Sequence, residues 1–182
     1  MSFTHQPMGL DQYLKASITL PDHDALREEA KNPTTKAWSE LRTYVLGTLK
    51  LKTSTNQVFG LFDVPGVLSI QLDCAYWRKA NQIHRWFDRL KGPDGLENCE
   101  EIEVTFDKLA ELVKLCEQLL KSRNEETAMQ ELPLSSGFFF GPADMGDWYW
   151  SDLRDTVNQL KPWLELPEEA KKWISFKYHG WW

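Results

Sequence analysis

The sequence predicts an α+β fold, in which helices pack on a small antiparallel sheet. Segments of alternating apolar and polar residues lie near both ends of the chain, and segments with apolar residues every three or four positions lie between them. The 182 residues are 42% hydrophobic and 26% charged, which is typical of a globular protein. No internal repeat and no Gly/Ser-rich linker divides the chain, so we expect a single domain over residues 1–182.

The first half of the chain predicts three short strands and two helices. Residues 8–18 alternate loosely and are typical of a strand. Helices are expected over 22–31 and 35–49, on either side of Pro33. The segments 58–62 and 67–72 are short and β-prone, and they predict a hairpin around the turn between them.

The middle of the chain contains the two clearest helical patterns. Residues 74–91 predict a helix that ends at Gly92-Pro93. A short strand at 102–104 precedes Thr105, which is a good N-cap for an amphipathic helix with a wide apolar stripe over 106–120.

The last third of the chain predicts a loop, a long helix and a final strand. Residues 122–136 are polar and are interpreted as mobile. Asp147 is expected to cap a helix over 148–165, Pro167 to begin a short helical turn, and 173–179 to alternate as a strand.

Charge is distributed unevenly. The net charge is −6, which does not favour broad binding to nucleic acid or to an anionic membrane. Residues 76–91 nevertheless hold five bases against one acid, whereas 97–131 hold ten acids against four bases. A local basic segment on an acidic chain suits a compact anion such as a phosphate.

The three cysteines, Cys74, Cys99 and Cys116, form no Cys-x-x-Cys pair and predict reduced thiols in a cytoplasm. Cys99 has no flanking histidine or lysine in the sequence, so a nucleophilic role is not expected. The start of the chain lacks the pattern of a secretory signal.

The helix predicted over 74–91 presents stacking, hydrogen-bonding and cationic side chains on adjoining faces. Trp77, Asn81 and His84 fall in one row, and Arg78 and Arg85 fall in the next. The alternative is a half-buried helix whose polar groups pair with acids. Trp148 and Trp150 flank Tyr149 and could line a groove, or could belong to an aromatic core. The predicted ligand-binding residues are therefore Tyr13, Trp77, Arg78, Asn81, His84, Arg85, Trp148 and Trp150.

No catalytic, metal or cofactor motif is recognised. The aspartates at 144–155 lack the spacing of a calcium loop, and no two histidines stand four residues apart. No catalytic residues, metal ligands or cofactors are therefore predicted, and an enzyme is the less favoured class.

Four motifs resemble a family of small phage and prophage proteins. They are Met-Gly-Leu-Asp-x-Tyr-Leu at 8–14, Tyr-Trp-Arg-Lys-Ala-Asn-x-Ile-His-x-Trp-Phe at 76–87, Gly-Phe-Phe-Phe-Gly at 137–141 and Trp-Tyr-Trp at 148–150. The resemblance implies expression in the cytoplasm of a bacterial host, and it supplies no activity. The stretch at about 20–70 is longer than in that family, which suggests an insertion.

Three functional hypotheses follow. The first is a non-catalytic phage protein that sequesters a nucleotide-derived ligand and so counters host defence. The second is an inhibitor of a host defence complex, such as a CRISPR effector, whose acidic surface imitates nucleic acid. The third is a nucleotide-processing enzyme with His84 as acid or base. A homo-oligomer stays open, since the Trp181-Trp182 end could pack on its own fold or on a second subunit.

Overall fold

The computed structural model describes residues 9–20, 68–135, 137, 139–141 and 144–182. These residues form an α+β fold around one four-stranded antiparallel sheet, as the sequence predicts. The helices predicted at 22–31 and 35–49 and the strand at 58–62 lie outside the described residues, as does most of the suggested insertion.

The described elements are two strands, a helix, a third strand, four helices and a last strand that returns to the sheet. In chain order they are β1 (Asp11–Leu20), β2 (Leu68–Arg78), α1 (Asn81–Lys91), β3 (Glu101–Val104), α2 (Phe106–Ser122), α3 (Glu125–Glu131), α4 (Asp147–Leu164), α5 (Glu168–Lys171) and β4 (Ile174–Trp181). The strand order is β2-β1-β4-β3, so the first and last strands lie side by side at the centre. In the antiparallel pair of β3 and β4, Glu101 lies opposite His179.

One face of the sheet is buried under helices. Leu14 of β1, with Phe176 and Tyr178 of β4, is almost fully buried. The ring of Phe87 on α1 stacks on Tyr178 at 3.8 Å, and Phe106 of α2 meets Phe176 edge-on at 4.8 Å. The alternate residues of the same strands point to the other face, which none of the described helices covers and which we call the open face. This alternation has the two-residue period of a strand with one buried face.

The helix predicted over 74–91 is wrong in its first part. Strand β2 continues to Arg78, and the helix begins only at Asn81. Burial alternates through this stretch, since Ala75 and Trp77 are buried whereas Tyr76 and Arg78 are exposed. Lys79, with a positive φ of 60°, lies at the junction of strand and helix. Aromatic residues favour strands, and pairing with β1 satisfies their backbone groups.

Helix α2 is confirmed with its cap. Thr105 accepts a hydrogen bond from the backbone N–H of Lys108, and Asp107 lies in the first turn. Helix α4 begins at Asp147, but Gly146 occupies the N-cap position that the sequence assigned to Asp147. Helices α2 and α4 pack against each other.

The loop expected over 122–136 contains helix α3. Asn124 caps it by accepting a hydrogen bond from the N–H of Thr127. The hydroxyl of Tyr149 donates to the carbonyls of Ala128 and Leu132, and these contacts hold the end of the short helix on α4. A seven-residue helix is marginal alone, so tertiary contacts rather than local pattern account for it.

Contacts along the chain divide it into two compact units. The larger comprises Met1–Ala16, Asp73–Glu165 and Phe176–Trp182, and the smaller comprises Ser17–Leu72 and Leu166–Ser175. The described part of the smaller unit consists of strand ends and α5, and Thr19 N–H donates to the Trp173 carbonyl at 2.8 Å. The single domain stays a prediction. None of the described helices has the length and apolar character to cross a bilayer.

Candidate functional site

The residues predicted to converge from one helix are divided between a strand and a helix. Trp77 and Arg78 end strand β2, whereas Asn81, His84 and Arg85 belong to α1. The periodicity that placed the five side chains on adjoining helical faces does not hold, and each must be located separately.

The predicted tryptophans belong to the framework. Trp77 is 3% exposed, and its indole Nε1–H donates to Oγ1 of Thr156 at 2.9 Å. Trp150 is buried under the guanidinium of Arg123, which lies 4.9 Å from its ring. Trp148 is half-buried and meets Tyr149 edge-on at 6.1 Å. These rings join helices to the sheet and to each other.

Asn81 is held in the interior by the chain around it. Its amide Nδ2 donates to the Phe140 carbonyl at 3.0 Å, and its Oδ1 accepts from the N–H of Ser135 at 3.1 Å. The amide thus contacts the backbone of Ser135 and of Phe140.

His84 belongs to a buried hydrogen-bond chain. Its Nδ1 lies 2.7 Å from the hydroxyl of Tyr178, which donates to Gln12 Oε1 at 3.0 Å. Gln12 in turn donates through Nε2 to the Ala80 carbonyl at 3.1 Å. Because the Tyr178 proton is directed to Gln12, His84 carries its proton on Nδ1. Burial lowers the pKa of His84 to about 4, against a smaller opposing effect of Asp88, so the imidazole is neutral at pH 7.

Arg78 and Arg85 differ in their surroundings. Arg78 Nη1 contacts both carboxylate oxygens of Asp11, at 2.9 and 3.0 Å, and the same carboxylate accepts a 2.5 Å hydrogen bond from the Tyr76 hydroxyl. Arg85 is exposed on α1. Asp11 therefore balances the charge of Arg78 at the end of β2.

Two grooves are lined by described residues alone, and we call the first the edge groove, because it lies between α4 and the outer edge of β2. Its volume is about 340 Å³. Gln159 Oε1 accepts the backbone N–H of Tyr76 at 2.8 Å, which joins helix and strand here. The groove is lined by Tyr76, Trp77, Arg78, Asp152, Asp155, Asn158 and Gln159.

Asp152 is the unusual acid of the edge groove. Gln82 donates through Nε2 to its Oδ2 at 3.0 Å. Burial raises the pKa of Asp152 to about 6, and the neighbouring Asp155 acts in the same direction. The groove is thus acidic at neutral pH, since Asp11 already balances the one arginine.

We call the second the sheet-face groove, because it lies on the face of the sheet away from the described helices. Its volume is about 430 Å³, and it is lined by Tyr13, Lys15, Cys99, Glu101, His179 and Trp181. The rings of Tyr13 and His179 are stacked, with centroids 5.1 Å apart and planes inclined by 18°. Burial lowers the pKa of His179, and Lys15 adds to this effect while Glu101 and Asp73 oppose it. His179 is therefore mostly neutral at pH 7.

Of the predicted ligand-binding residues, Tyr13 lines the sheet-face groove and Trp77 and Arg78 line the edge groove. Sequence reasoning missed Lys15, His179 and Trp181. A signal for them exists, because residues 13 and 15 in the first predicted strand and 179 and 181 at the end of the last each share one face of an alternating pattern. That the two strands are neighbours could not be derived from the pattern.

Cys99 has basic neighbours in space that it lacks in the sequence. Its N–H donates to the Gly180 carbonyl at 2.8 Å, which brings it to β4, and it shares the groove with Lys15 and His179. The other two thiols are buried, and burial raises the pKa of both Cys74 and Cys116 to about 12.

We expect one fast thiol per chain in the native protein. With an aromatic disulfide reagent at pH 8, Cys99 should react at least a hundredfold faster than Cys74 and Cys116, which are shielded and protonated. Absorbance of the released thiolate measures this, and all three thiols should react in denaturant. The Cys99→Ser variant should show no fast phase, and a second fast thiol in the native protein would contradict the burial of the other two.

Within the described part of the chain, no group of three or more His, Cys, Asp or Glu side chains is placed to hold a metal ion. Comparisons with protein families, curated proteins and solved structures found no match. The functional argument therefore depends on the geometry and charge of the two grooves.

Proposed function

We propose that this chain binds a nucleotide-derived ligand, without turnover, in the sheet-face groove. One observation carries the proposal: among the described residues no carboxylate forms an ion pair with Lys15, which lies in a groove beside the stacked Tyr13 and His179 and the exposed Trp181. An ammonium group attracts a phosphate, and aromatic faces stack on a base. This set replaces the helical one suggested by the sequence, and only Tyr13 belongs to both.

Charge favours the sheet-face groove over the edge groove for an anion. Glu101 is paired with Lys177 at 3.2 Å, so Lys15 is the charged lining residue whose charge is not offset by an ion pair among the described residues. Asp73, which also acts on His179, does not line the groove. In the edge groove Arg78 is offset by Asp11, and Asp152 and Asp155 leave a local excess of negative charge. A phosphate would be repelled there by two carboxylates.

The position of His84, the candidate acid or base, argues against the enzyme alternative. His84 is 4% exposed, its Nδ1 is hydrogen-bonded to Tyr178, and it lines neither groove. A general acid or base must reach the proton that it transfers. Binding without turnover needs no such residue.

The inhibitor alternative depends on an acidic surface that the structure partly neutralises. Of the ten acids at 97–131, four form ion pairs with lysines in the part of the chain that the structure describes: Glu100 with Lys91, Glu101 with Lys177, Glu111 with Lys108 and Glu117 with Lys161. Imitation of nucleic acid needs a dense, unbalanced row of negative charge. The geometry therefore favours the nucleotide over a basic protein channel.

The resemblance to phage and prophage proteins suggests a setting for this binding. A phage protein that holds a nucleotide tightly would lower the free concentration of a signalling nucleotide during infection. We propose this as the way in which the chain counters host defence, in the cytoplasm of the bacterial host.

Isothermal titration with AMP and adenosine tests the proposal. We expect AMP to bind at least tenfold more tightly than adenosine, because only AMP carries the phosphate for Lys15. Lys15→Gln should weaken AMP binding about tenfold, equivalent to about 1.4 kcal/mol, and should leave adenosine binding unchanged. The matched control is Lys114→Gln, which removes the same charge from an exposed position on α2.

The outcomes separate the three hypotheses. No heat with any nucleotide at millimolar concentration would overturn the proposal, as would an equal effect of the two lysine variants. The bound nucleotide should be recovered intact by chromatography after incubation, and its conversion would favour the enzyme. A stoichiometric host protein recovered from lysate, together with no nucleotide binding, would favour the inhibitor.

A further inference from the structure

A row of rings crosses three neighbouring strands on the open face of the sheet. Tyr76 of β2 lies 5.2 Å from Tyr13 of β1, and Tyr13 lies 5.1 Å from His179 of β4, measured between ring centroids. Tyr76 is 44% exposed at one end of the row, and Trp181, which is 36% exposed, follows His179 by two residues on β4. A four-stranded sheet with rings on adjacent strands is a geometry that can stack two or three bases.

This row connects the two grooves. Tyr13 lines the sheet-face groove and Tyr76 lines the edge groove, and their rings are in contact. A ligand that extends from the sheet-face groove past Tyr13 would reach Tyr76, which lines the edge groove. Each groove alone has a volume near the lower end of the range for small-molecule sites, about 300–1,000 Å³.

The chemistry of the edge groove complements a nucleoside. Asp155 is exposed in the groove and, within the described residues, forms no ion pair or hydrogen bond. A carboxylate accepts hydrogen bonds from ribose hydroxyls and base amino groups. The side-chain amide of Asn158 can both donate and accept. A second phosphate would be repelled by the carboxylates, whereas a second uncharged nucleoside would not.

We infer that the ligand is a dinucleotide in which two nucleosides are joined through one phosphate. The inference rests on the proposed function. The phosphate contacts Lys15, one base stacks in the sheet-face groove beside His179 and Trp181, and the second base stacks on Tyr76 with its sugar hydroxyls directed to Asp155.

Titration with AMP and with the dinucleotide ApA tests the inference. The wild-type protein should bind ApA at least tenfold more tightly than AMP, because the second nucleoside adds a stacking contact and hydrogen bonds. Tyr76→Leu and Asp155→Asn should each reduce this ratio of dissociation constants to threefold or less. Asp144→Asn, which changes an exposed aspartate outside the grooves in the same way, should keep the ratio.

Two variants are needed because Tyr76→Leu also removes a hydrogen bond to Asp11 and could destabilise the fold. If its thermal midpoint falls, Asp155→Asn decides the outcome. AMP binding with a ratio near one, or a ratio that both variants leave intact, would overturn the dinucleotide and keep the proposed function. Absence of AMP and ApA binding would overturn both.

Oligoadenylate of six nucleotides separates a free dinucleotide from a segment of RNA. A site for two nucleosides should bind the hexanucleotide no more than about threefold more tightly than ApA, a gain that several overlapping registers explain. Binding a hundredfold tighter would overturn the dinucleotide in favour of single-stranded RNA.

Discussion

Replacing Tyr178 with phenylalanine should lower the free energy of unfolding by about 3 kcal/mol. The ring can keep its 3.8 Å stack on Phe87, but the missing hydroxyl leaves the Nδ1–H of His84 and Oε1 of Gln12 buried without partners. Each buried polar group without a partner costs about 1–3 kcal/mol. Unfolding in urea, followed by tryptophan fluorescence, measures the loss.

Tyr13→Phe is the matched control, because Tyr13 is half-buried on the open face and water can reach this part of the sheet. It should change the free energy of unfolding by less than about 0.5 kcal/mol. A similar small effect in Tyr178→Phe would show that the buried chain from His84 to Gln12 does not stabilise the fold. AMP binding by folded Tyr178→Phe should be retained, since the hydroxyl lies on the buried face.

The second large effect concerns the free energy of unfolding, which His84 and Asp152 make depend on pH in opposite directions. The pKa of His84 is about 4 in the folded protein and near 6.5 when unfolded, so the unfolded state takes up the proton first as the pH falls. The stability that neutral His84 contributes is therefore fully present above pH 6.5 and is lost as the pH falls towards 4. The pKa of Asp152 is about 6 in the folded protein and near 3.8 when unfolded, so here the folded state takes up the proton first and stability is gained.

Between pH 7.5 and 4.5 each group changes the free energy of unfolding by about 2 kcal/mol or less, and in the wild type the two changes largely offset each other. His84→Asn removes the loss that His84 causes, so on acidification the free energy of unfolding of this variant should rise by up to about 2 kcal/mol relative to wild type. Asp152→Asn removes the gain that Asp152 causes, so the free energy of unfolding of this variant should fall by a comparable amount. Asparagine can donate to Tyr178 and can accept from Gln82, which keeps the folded contacts comparable.

The free energy of unfolding in urea is measured at the two pH values. Its change with pH in each variant is then compared with its change in the wild type. Asp144→Asn, an exposed aspartate, should follow the wild type. The same change in the free energy of unfolding with pH in His84→Asn and Asp152→Asn would contradict the burial of the two groups.

Elements whose signals lie within the element were predictable. Thr105, Asp107 and the apolar stripe that follows specify helix α2 through contacts within four residues, and the structure confirms them. Strands β1 and β4 were also predictable, because a two-residue alternation needs no information about the partner strand.

Residues 76–78 show where local information ends. In a helix, Tyr76 fits the apolar stripe continued from α1 and Trp77 and Arg78 fall in the two adjoining rows. The same three residues also fit a strand with Trp77 inward. The choice depends on hydrogen bonds to β1, which is more than fifty residues away in sequence. Helix α3 was missed for the same reason, since the contacts of Tyr149 with Ala128 and Leu132 cross from another helix.

The candidate site shows the same division. The aromatic and basic residue types of the candidate site are visible in the composition, and Tyr13 was among the predicted ligand-binding residues. Lys15, Cys99, Glu101 and His179 meet only because β1, β4 and the start of β3 are neighbours in the sheet. Local side-chain periodicity could thus specify the fold class and most described elements, whereas strand pairing, which joins residues distant in sequence, decided which polar groups are buried and which share a groove.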